Sequence, residues 1–393
     1  MIKIYNIILR LFSATWTVFI PKTTDILLYD NIGSENIIPL ISKKFKYRIL
    51  YTRYEKINFY ILLKSLDIFF SDKIKFKGFY ENYLIKFIKA RNPRVIITFI
   101  DNNFFFFSLK KEFPDICFIC IQNGLSAKII NKKNFLKQKK IDFFFCFSEI
   151  YANFYKKNIA KRTHVIGSLK CNQSKINALK NKNKLIFISS FNDLKKNYKF
   201  LNRQISPQNV YKPEFKLLPI IYNYCVKEKI DFSILLKSDK IQERSFYIKI
   251  LEDRLKLNNY EYLKFYQKNK NKTSYEKIKN FDTVISIDST LGIEAINFNV
   301  KSIFFNVRGK FFSNKTFEFG WPKKFKKQGF CWTNQLSEKK INNILKKNLN
   351  LTLKEWKLKA MKNNFDKLMF YDYKNRIAIN LLNNIILKKN EIL

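Results

Sequence analysis

The chain has 393 residues, 47% of them hydrophobic and 17% aromatic, and 75 Lys and Arg against 31 Asp and Glu give a net charge of +44 at pH 7. That much apolar side chain can bury a core, which excludes a disordered polycation, and with only 8 Gly and 8 Pro the collagen-like and low-complexity classes fall away. A single histidine, His164, excludes a polyhistidine metal centre, and at roughly 100–200 residues per domain the length predicts two domains. Lys, Asn, Ile and Phe are all over-used, as an AT-rich coding sequence favours, so part of the positive charge is coding bias. The remainder favours anionic partners: nucleotide phosphates, acidic lipids or nucleic acid.

The first apolar run, 7–20, contains Arg10 and falls short of the ~20 residues a membrane-spanning helix needs. No small-residue cleavage pattern follows it, so neither a span nor a signal peptide is expected and the expected location is cytoplasmic. A short apolar strand, a polar turn and an amphipathic helix then recur. Strands are predicted at 25–29, 47–51, 94–100, 116–121, 142–147 and 163–166, with helices near 34–43, 57–70, 78–91, 103–112 and 149–158. Cys117 and Cys120 have C-x-x-C spacing but lie in the strand 116–121, where alternation sends them to opposite faces. All six cysteines are read as buried thiols in a reducing compartment.

A polar stretch at 169–182 breaks the pattern. A second series follows, with strands at 185–189, 232–236, 263–266, 283–287 and 301–305 and helices near 213–228, 243–256, 274–279 and 290–298. Helices near 337–347, 353–369 and 374–388 close the chain. Strands alternating with helices predict parallel sheets covered on both faces. The expected fold is α/β: two Rossmann-like domains, 1–170 and 183–335, and a C-terminal helical extension, 336–393. Ligands of such sheets bind outside the carboxyl ends of the strands, so the residues just after each strand carry the information.

After the first strand, Gly33 and Ser34 suit a tight turn and a helix cap, while Asp30 and Glu35 are carboxylates to spare. The third strand ends in Asp101-Asn102-Asn103; a cap needs one such residue, not three. Asp101 is placed to take a proton from a sugar hydroxyl, with Asn102 to orient it. After the fourth strand, Asn123-Gly124 is turn chemistry and Gln122 is surplus. His164 lies within a strand and is read as packed. In the second series, Ser189-Ser190 and Lys237-Ser238 stand where a phosphate could rest, with turn and cap chemistry the plainer reading of both. The strongest pattern is Val284-Ile-Ser-Ile-Asp288-Ser289-Thr290-Leu-Gly292-Ile-Glu294, a strand running into hydroxyl residues that open a helix. Backbone N–H groups there, with Ser289 and Thr290, would form an anion site; a capped helix is the plainer reading of the same residues. Gly292 allows close packing, and Glu294, one turn after Thr290, could meet a ribose.

That segment resembles the nucleotide-binding element of GT-B glycosyltransferases of capsule and surface-polysaccharide assembly. The block 30–35, Thr98-Phe-Ile-Asp101-Asn102-Asn103, Ile121-Gln122-Asn123-Gly124 and Val165-Ile-Gly167-Ser168 together are similar to proteins of surface carbohydrate biosynthesis. The resemblance covers most of 25–310. It implies an acceptor-binding first domain and a nucleotide-binding second one. It also implies transfer of a sugar from a nucleotide-sugar donor to a glycan or lipid-linked glycan acceptor. On this reading Asp101 is the general base with Glu35 in reserve. Ser189, Lys237, Ser289 and Thr290 hold the donor phosphate, Glu294 the ribose, and Asp30, Asn102, Gln122 and Asn123 the sugar or acceptor. Related sialyl- and Kdo-transferases carry a His-Pro pair at the donor phosphate; here the only His precedes Val165, and Lys237-Ser238 stands near where such a pair would fall. No Asp-x-Asp pair follows a strand, so no cofactor and no essential metal are expected, helix ends and basic residues stabilising the leaving phosphate instead.

Two other readings compete. A nucleotide-sugar 2-epimerase shares the architecture but needs several acid–base groups. A nucleic-acid-binding protein would account for the charge, but the basic residues are spread along the chain without an RNA-binding consensus, and no nucleic-acid partner is expected. Finally, the lysine-rich stretch 132–140, with Phe135 and Leu136, could touch an anionic inner-membrane surface; a solvated lysine-biased connection is the plainer reading.

Overall fold

The computed structural model describes residues 12–70, 78–125, 140–176, 184–192, 194, 198–200, 203–238, 241–255, 263–267 and 273–390. The chain forms two compact units. The first takes the described residues up to Cys146, then Ala152–Leu169, and those from Asn375 on; the second takes Phe147–Tyr151 and Lys170–Lys374.

The first unit holds a six-stranded sheet built from β1 (Ile26–Tyr29), β2 (Tyr47–Leu50), β3 (Val95–Thr98), β4 (Cys117–Ile121), β5 (Ile141–Cys146) and β6 (Ala160–Val165). The spatial order is β2-β1-β3-β4-β5-β6 and every pairing is parallel. Residues of β1, β3 and β4 are buried throughout, which is why these strands read as unbroken apolar runs. Helix α1 (Phe79–Arg91) stops at Asn92, whose left-handed φ of 41° suits asparagine. Helix α2 (Phe104–Glu112) is capped by Asn103, whose Oδ1 accepts from Phe105 and Phe106 N–H. The strand order reverses between β1 and β3, so the ends of these two strands border the crevice where such sheets take ligands.

The second unit holds β7 (Lys184–Ile188), β8 (Asp231–Leu235), β9 (Leu263–Tyr266), β10 (Thr283–Ser286), β11 (Lys301–Phe305) and β12 (Trp332–Thr333) in the order β9-β8-β7-β10-β11-β12. All pairings are parallel, and the order reverses between β7 and β10. This is the doubly wound order of dinucleotide-binding sheets. Helices α3 (Lys212–Lys227) and α4 (Ile241–Leu255) bury Leu217, Leu218, Ile221, Phe246, Tyr247 and Ile250 against it. Helix α5 (Thr290–Glu294) is short and passes into a 3₁₀ turn, Ala295–Phe298. Helix α6 (Glu338–Asn350) is held at its carboxyl end by Lys301, which is 2% exposed. The Lys301 ammonium donates to the carbonyls of Asn348, Leu349 and Leu351 at 3.0, 3.4 and 2.9 Å and pairs with Asp282 at 2.8 Å. The last carbonyls of a helix lack intrahelical partners, and a cation there satisfies them. Helix α7 (Leu353–Lys362) buries Trp356 and Ala360.

The final helix, α8 (Arg376–Asn390), returns to the first unit. Ala378, Leu382 and Ile386, four residues apart, enter the core around Ile26, Leu28, Val95 and Ile97, and burying each Leu or Ile contributes roughly 1.5–3 kcal/mol. The Asn383 amide donates to Leu40 O at 3.1 Å, and its Oδ1 accepts from Ser42 N at 3.0 Å. The helices expected as one extension from residue 336 are therefore divided between the units.

Every strand predicted from the sequence is present, with ends shifted by at most a few residues. Strand β12 was not predicted; at two residues it leaves no periodic pattern. The parallel pair Thr15–Thr17 and Lys56–Asn58 and the antiparallel pair Tyr198–Phe200 and Arg203–Ile205 also lie outside the predicted set.

Candidate functional site

In the second unit the reversal of strand order brings together the turns after β7 and β10. The last residue of β10, Ser286, closes its own turn: its hydroxyl accepts from Ser289 N–H at 3.0 Å. The Ser289 hydroxyl takes no part in capping α5. Gly292 is required by packing, since a Cβ there would lie 2.5 Å from Ser286 Cβ and 3.3 Å from the Phe304 ring. Gly292 thus provides close approach of the helix to the sheet. Helix α5 is too short to carry much of a dipole, so hydroxyl and backbone donors, rather than a long helix end, define this edge.

Behind the edge lies a buried ionic network that the sequence reading missed. Arg308, 5% exposed, follows β11; its Nε donates to Asp288, Nη1 to Val210 O, and Nη2 to Glu214 at 2.9 Å and Ser190 Oγ at 3.0 Å. Burial disfavours the guanidinium charge, but Asp288 and Glu214 outweigh it and hold the group protonated. Arg308 is thus shared between two carboxylates, Asp288 and Glu214. Glu243 forms a second hub. It takes the Ser189 hydroxyl, the Lys237 N–H at 2.8 Å, and both the N–H and hydroxyl of Ser238 at 2.8 Å. Burial, with Glu214 nearby, pushes the Tyr247 phenol well up, so it stays neutral and donates to Ser189 Oγ at 2.9 Å.

These contacts revise several expectations. Ser189 donates to Glu243 and accepts from Phe191 N–H and Tyr247, which leaves its hydroxyl no capacity for a phosphate. The backbone donors of Lys237 and Ser238 already hold the chain's own carboxylate; only the exposed Lys237 side chain remains for a ligand. Glu294 is 4% exposed and accepts from Tyr275 OH at 3.1 Å, so it is built into the packing and not presented at the surface. Glu214 and Glu243 had a signal in the sequence. Each stands where the helical repeat calls for an apolar residue, with Leu217, Leu218 and Ile221, or Phe246, Tyr247 and Ile250, three, four and seven positions on.

In the first unit the turns after β1, β3 and β4 divide into fixing residues and presented ones. Asp30, 3% exposed with φ 83°, accepts from Ile32 N–H at 2.8 Å, from the Thr52 hydroxyl, and from Arg53 Nε at 3.1 Å, tying the ends of β1 and β2. Asp101, also 3% exposed, accepts from Asn123 and Gly124 N–H at 3.2 and 3.4 Å and ties β3 to β4. Gln122 is buried and donates to Gly124 O at 3.2 Å. Glu35, Asn102 and Asn123 are exposed, Glu35 accepting from Asn36 Nδ2 at 2.9 Å. Gly33 makes this turn possible: its φ is 85°, and a Cβ would come within 2.4 Å of the Phe99 ring.

The remaining expectations concern packing and surface. His164 sits in β6 between the rings of Phe143 and Phe145, and burial, with the Arg162 charge, lowers its pKa. It is packed, as read. All six cysteines are buried thiols, with Cys120 and Cys331 pushed well up by burial. The stretch 132–140 lies outside the described residues except for Lys140. No helix among the described residues is long and apolar enough to cross a membrane.

Comparison with solved structures identifies the fold as GT-B-like. S. aureus MnaA in complex with UDP superposes with a TM-score of 0.55 at 10% identity, covering 93% of this chain and 97% of that one. A sucrose-phosphate synthase from Thermosynechococcus elongatus gives 0.51 at 10% identity, covering 94% and 99%. The UDP-GlcNAc 2-epimerase of Methanocaldococcus jannaschii, in complex with UDP-GlcNAc and UDP, gives 0.50 at 12% identity, covering 92% and 99%. No curated protein matches by sequence. Two six-stranded parallel sheets with polar residues gathered at their carboxyl edges are thus the frame of a chain whose residues 119–386, more than half its length, match the family described as "putative O-antigen biosynthesis protein", and to that family it belongs.

Proposed function

We propose that the protein is a glycosyltransferase of O-antigen assembly, moving a sugar from a nucleotide-sugar donor to a glycan or lipid-linked glycan acceptor at the cytoplasmic side. The observation that carries the reading is the β7/β10 edge, where the Ser289 hydroxyl is left out of the cap of α5 and the Asp288 carboxylate is turned to Arg308. Ser289, Thr290 and the Lys237 ammonium hold the donor phosphate and stabilise the charge that grows on it as the glycosidic bond breaks. In the first unit Glu35 takes the proton of the attacking acceptor hydroxyl, while Asn102 and Asn123 orient the sugar. Glu35 replaces Asp101 as base because Asp101 is engaged with two backbone N–H groups and Glu35 is exposed. Asp30, Asp101 and Gln122 act as fixing residues for those turns. The scheme uses no metal.

Calorimetric titration with CMP, CDP, UDP and GDP species tests the reading; no binding of any of them sinks it. The base assignment is tested by a pair of variants. Glu35→Gln should abolish turnover with nucleotide affinity and melting temperature unchanged. Asp101→Asn should lower the melting temperature, since an amide is a poorer acceptor for the Asn123 and Gly124 N–H groups. If Glu35→Gln stays active and Asp101→Asn alone is dead, the base is Asp101.

A second reading, a nucleotide-sugar 2-epimerase, draws support from the M. jannaschii enzyme of that activity with the same fold. Free nucleotide released only with an acceptor marks the transferase; isomerised donor without acceptor marks the epimerase.

A further inference from the structure

The strongest unexplained feature lies in the first unit, away from the strand ends. Large apolar side chains stand in solvent along one short stretch: Phe12 is 84% exposed, Val18 64%, Phe19 82% and Ile20 66%. Strand Thr15–Thr17 pairs with Lys56–Asn58 and sets this stretch beside the helix Phe59–Lys64, which exposes Phe59 and Leu63 on one face. The Trp16 and Phe59 rings meet edge to face at 6.4 Å. The arrangement is braced. Asn58 caps that helix through Ile61 N–H, while its amide donates to Thr17 Oγ1 at 3.1 Å and to Phe19 O at 2.8 Å. A contiguous apolar patch of this kind, fixed rather than frayed, marks an interaction surface.

The charge beside it says what the surface meets. A groove of about 850 Å³ opens next to the patch, with Phe19 and Ile20 in its wall together with Lys22, Lys46, Arg48 and Arg91. No carboxylate is among the described residues that line it. Arg91 Nε is buried without a hydrogen-bond partner, although Nη1 donates to Lys22 O at 2.7 Å. Burial, and then the Arg48 charge, push Arg91 down, as expected of a guanidinium that lacks an anion. Apolar tips beside uncompensated cations match a bilayer surface, where aromatic and aliphatic groups enter the acyl boundary and cations take headgroup phosphates.

We propose that this face, Phe12 to Ile20 with Phe59 and Leu63 and the adjoining Lys46–Arg48–Arg91 groove, docks the protein on an anionic phospholipid membrane. The surface is independent of the transferase reading and shares no residue with the donor or acceptor groups assigned above.

The test is flotation of the full chain with phosphatidylcholine vesicles, with and without phosphatidylglycerol. Wild type should float with the anionic vesicles and bind the neutral ones poorly. Phe19→Glu with Ile20→Glu should weaken anionic-vesicle partitioning by at least about tenfold. Lys46→Gln with Arg48→Gln should weaken it by about fivefold per charge and reduce the preference for phosphatidylglycerol. Melting temperatures equal to wild type show that the exposed substitutions leave the fold intact. Failure of wild type to float with anionic vesicles, or flotation of Phe19→Glu/Ile20→Glu as well as wild type, overturns the proposal. So does a wild-type dimer that the apolar variant dissociates while no vesicle is bound; the face would then join two copies of the chain.

Discussion

Ser189 and Ser289 each follow a strand of the second sheet, yet the fold gives them opposite duties. Ser189 is enclosed by Glu243, 54 residues away in sequence, whereas the Ser289 hydroxyl is spared by Ser286. Ser289→Ala should therefore weaken nucleotide binding by roughly 1.5–3 kcal/mol, the worth of a hydrogen bond to a charged group, without changing the melting temperature. Titration calorimetry beside thermal denaturation separates the two quantities, and a stability loss with unchanged affinity would place the phosphate elsewhere. Arg308 makes the reverse case. Arg308→Met leaves Glu214, fully buried, without its cation, and the second unit should lose about 3–5 kcal/mol in urea denaturation. Adding Glu214→Met should restore much of that loss, because the cost lies in the orphaned carboxylate more than in the missing attraction.

At the scale of elements, helix α6 depends on a side chain from a strand. Lys301 supplies what the last turn of α6 lacks, so Lys301→Met should cost about 1–3 kcal/mol for the unsatisfied buried groups. Hydrogen exchange should quicken first at that end of α6, and unchanged protection there would refute the role. Strands and helices were legible because parallel strands covered on both faces are continuous apolar runs bounded by Asn, Asp, Ser and Gly. What the sequence concealed was which polar residues after the strands stay exposed and which fasten the turns. Asp30, Asp101 and Gln122 look like Glu35, Asn102 and Asn123 on paper; partners after neighbouring strands engage Asp30 and Asp101, and Gln122 folds back on its own turn. The two buried glutamates were legible in principle, as acidic residues on the apolar faces of α3 and α4.

For the whole molecule, the fold class follows from alternating strand and helix, but neither the strand-order reversals nor the ownership of the last helix does, because nothing local marks which neighbour a strand takes or which core α8 will enter. Its place has a consequence for the order in which the chain is made. The Asn383 amide that fastens α8 meets Leu40, 343 residues earlier, and Asn375 meets Leu169 across 206. At roughly 5–20 residues per second of synthesis, the early strands wait on the order of tens of seconds for the helix that completes their core. Meanwhile everything the second unit needs has already been synthesised. The nascent first unit thus spends most of translation with the apolar surface that takes Ala378, Leu382 and Ile386 uncovered.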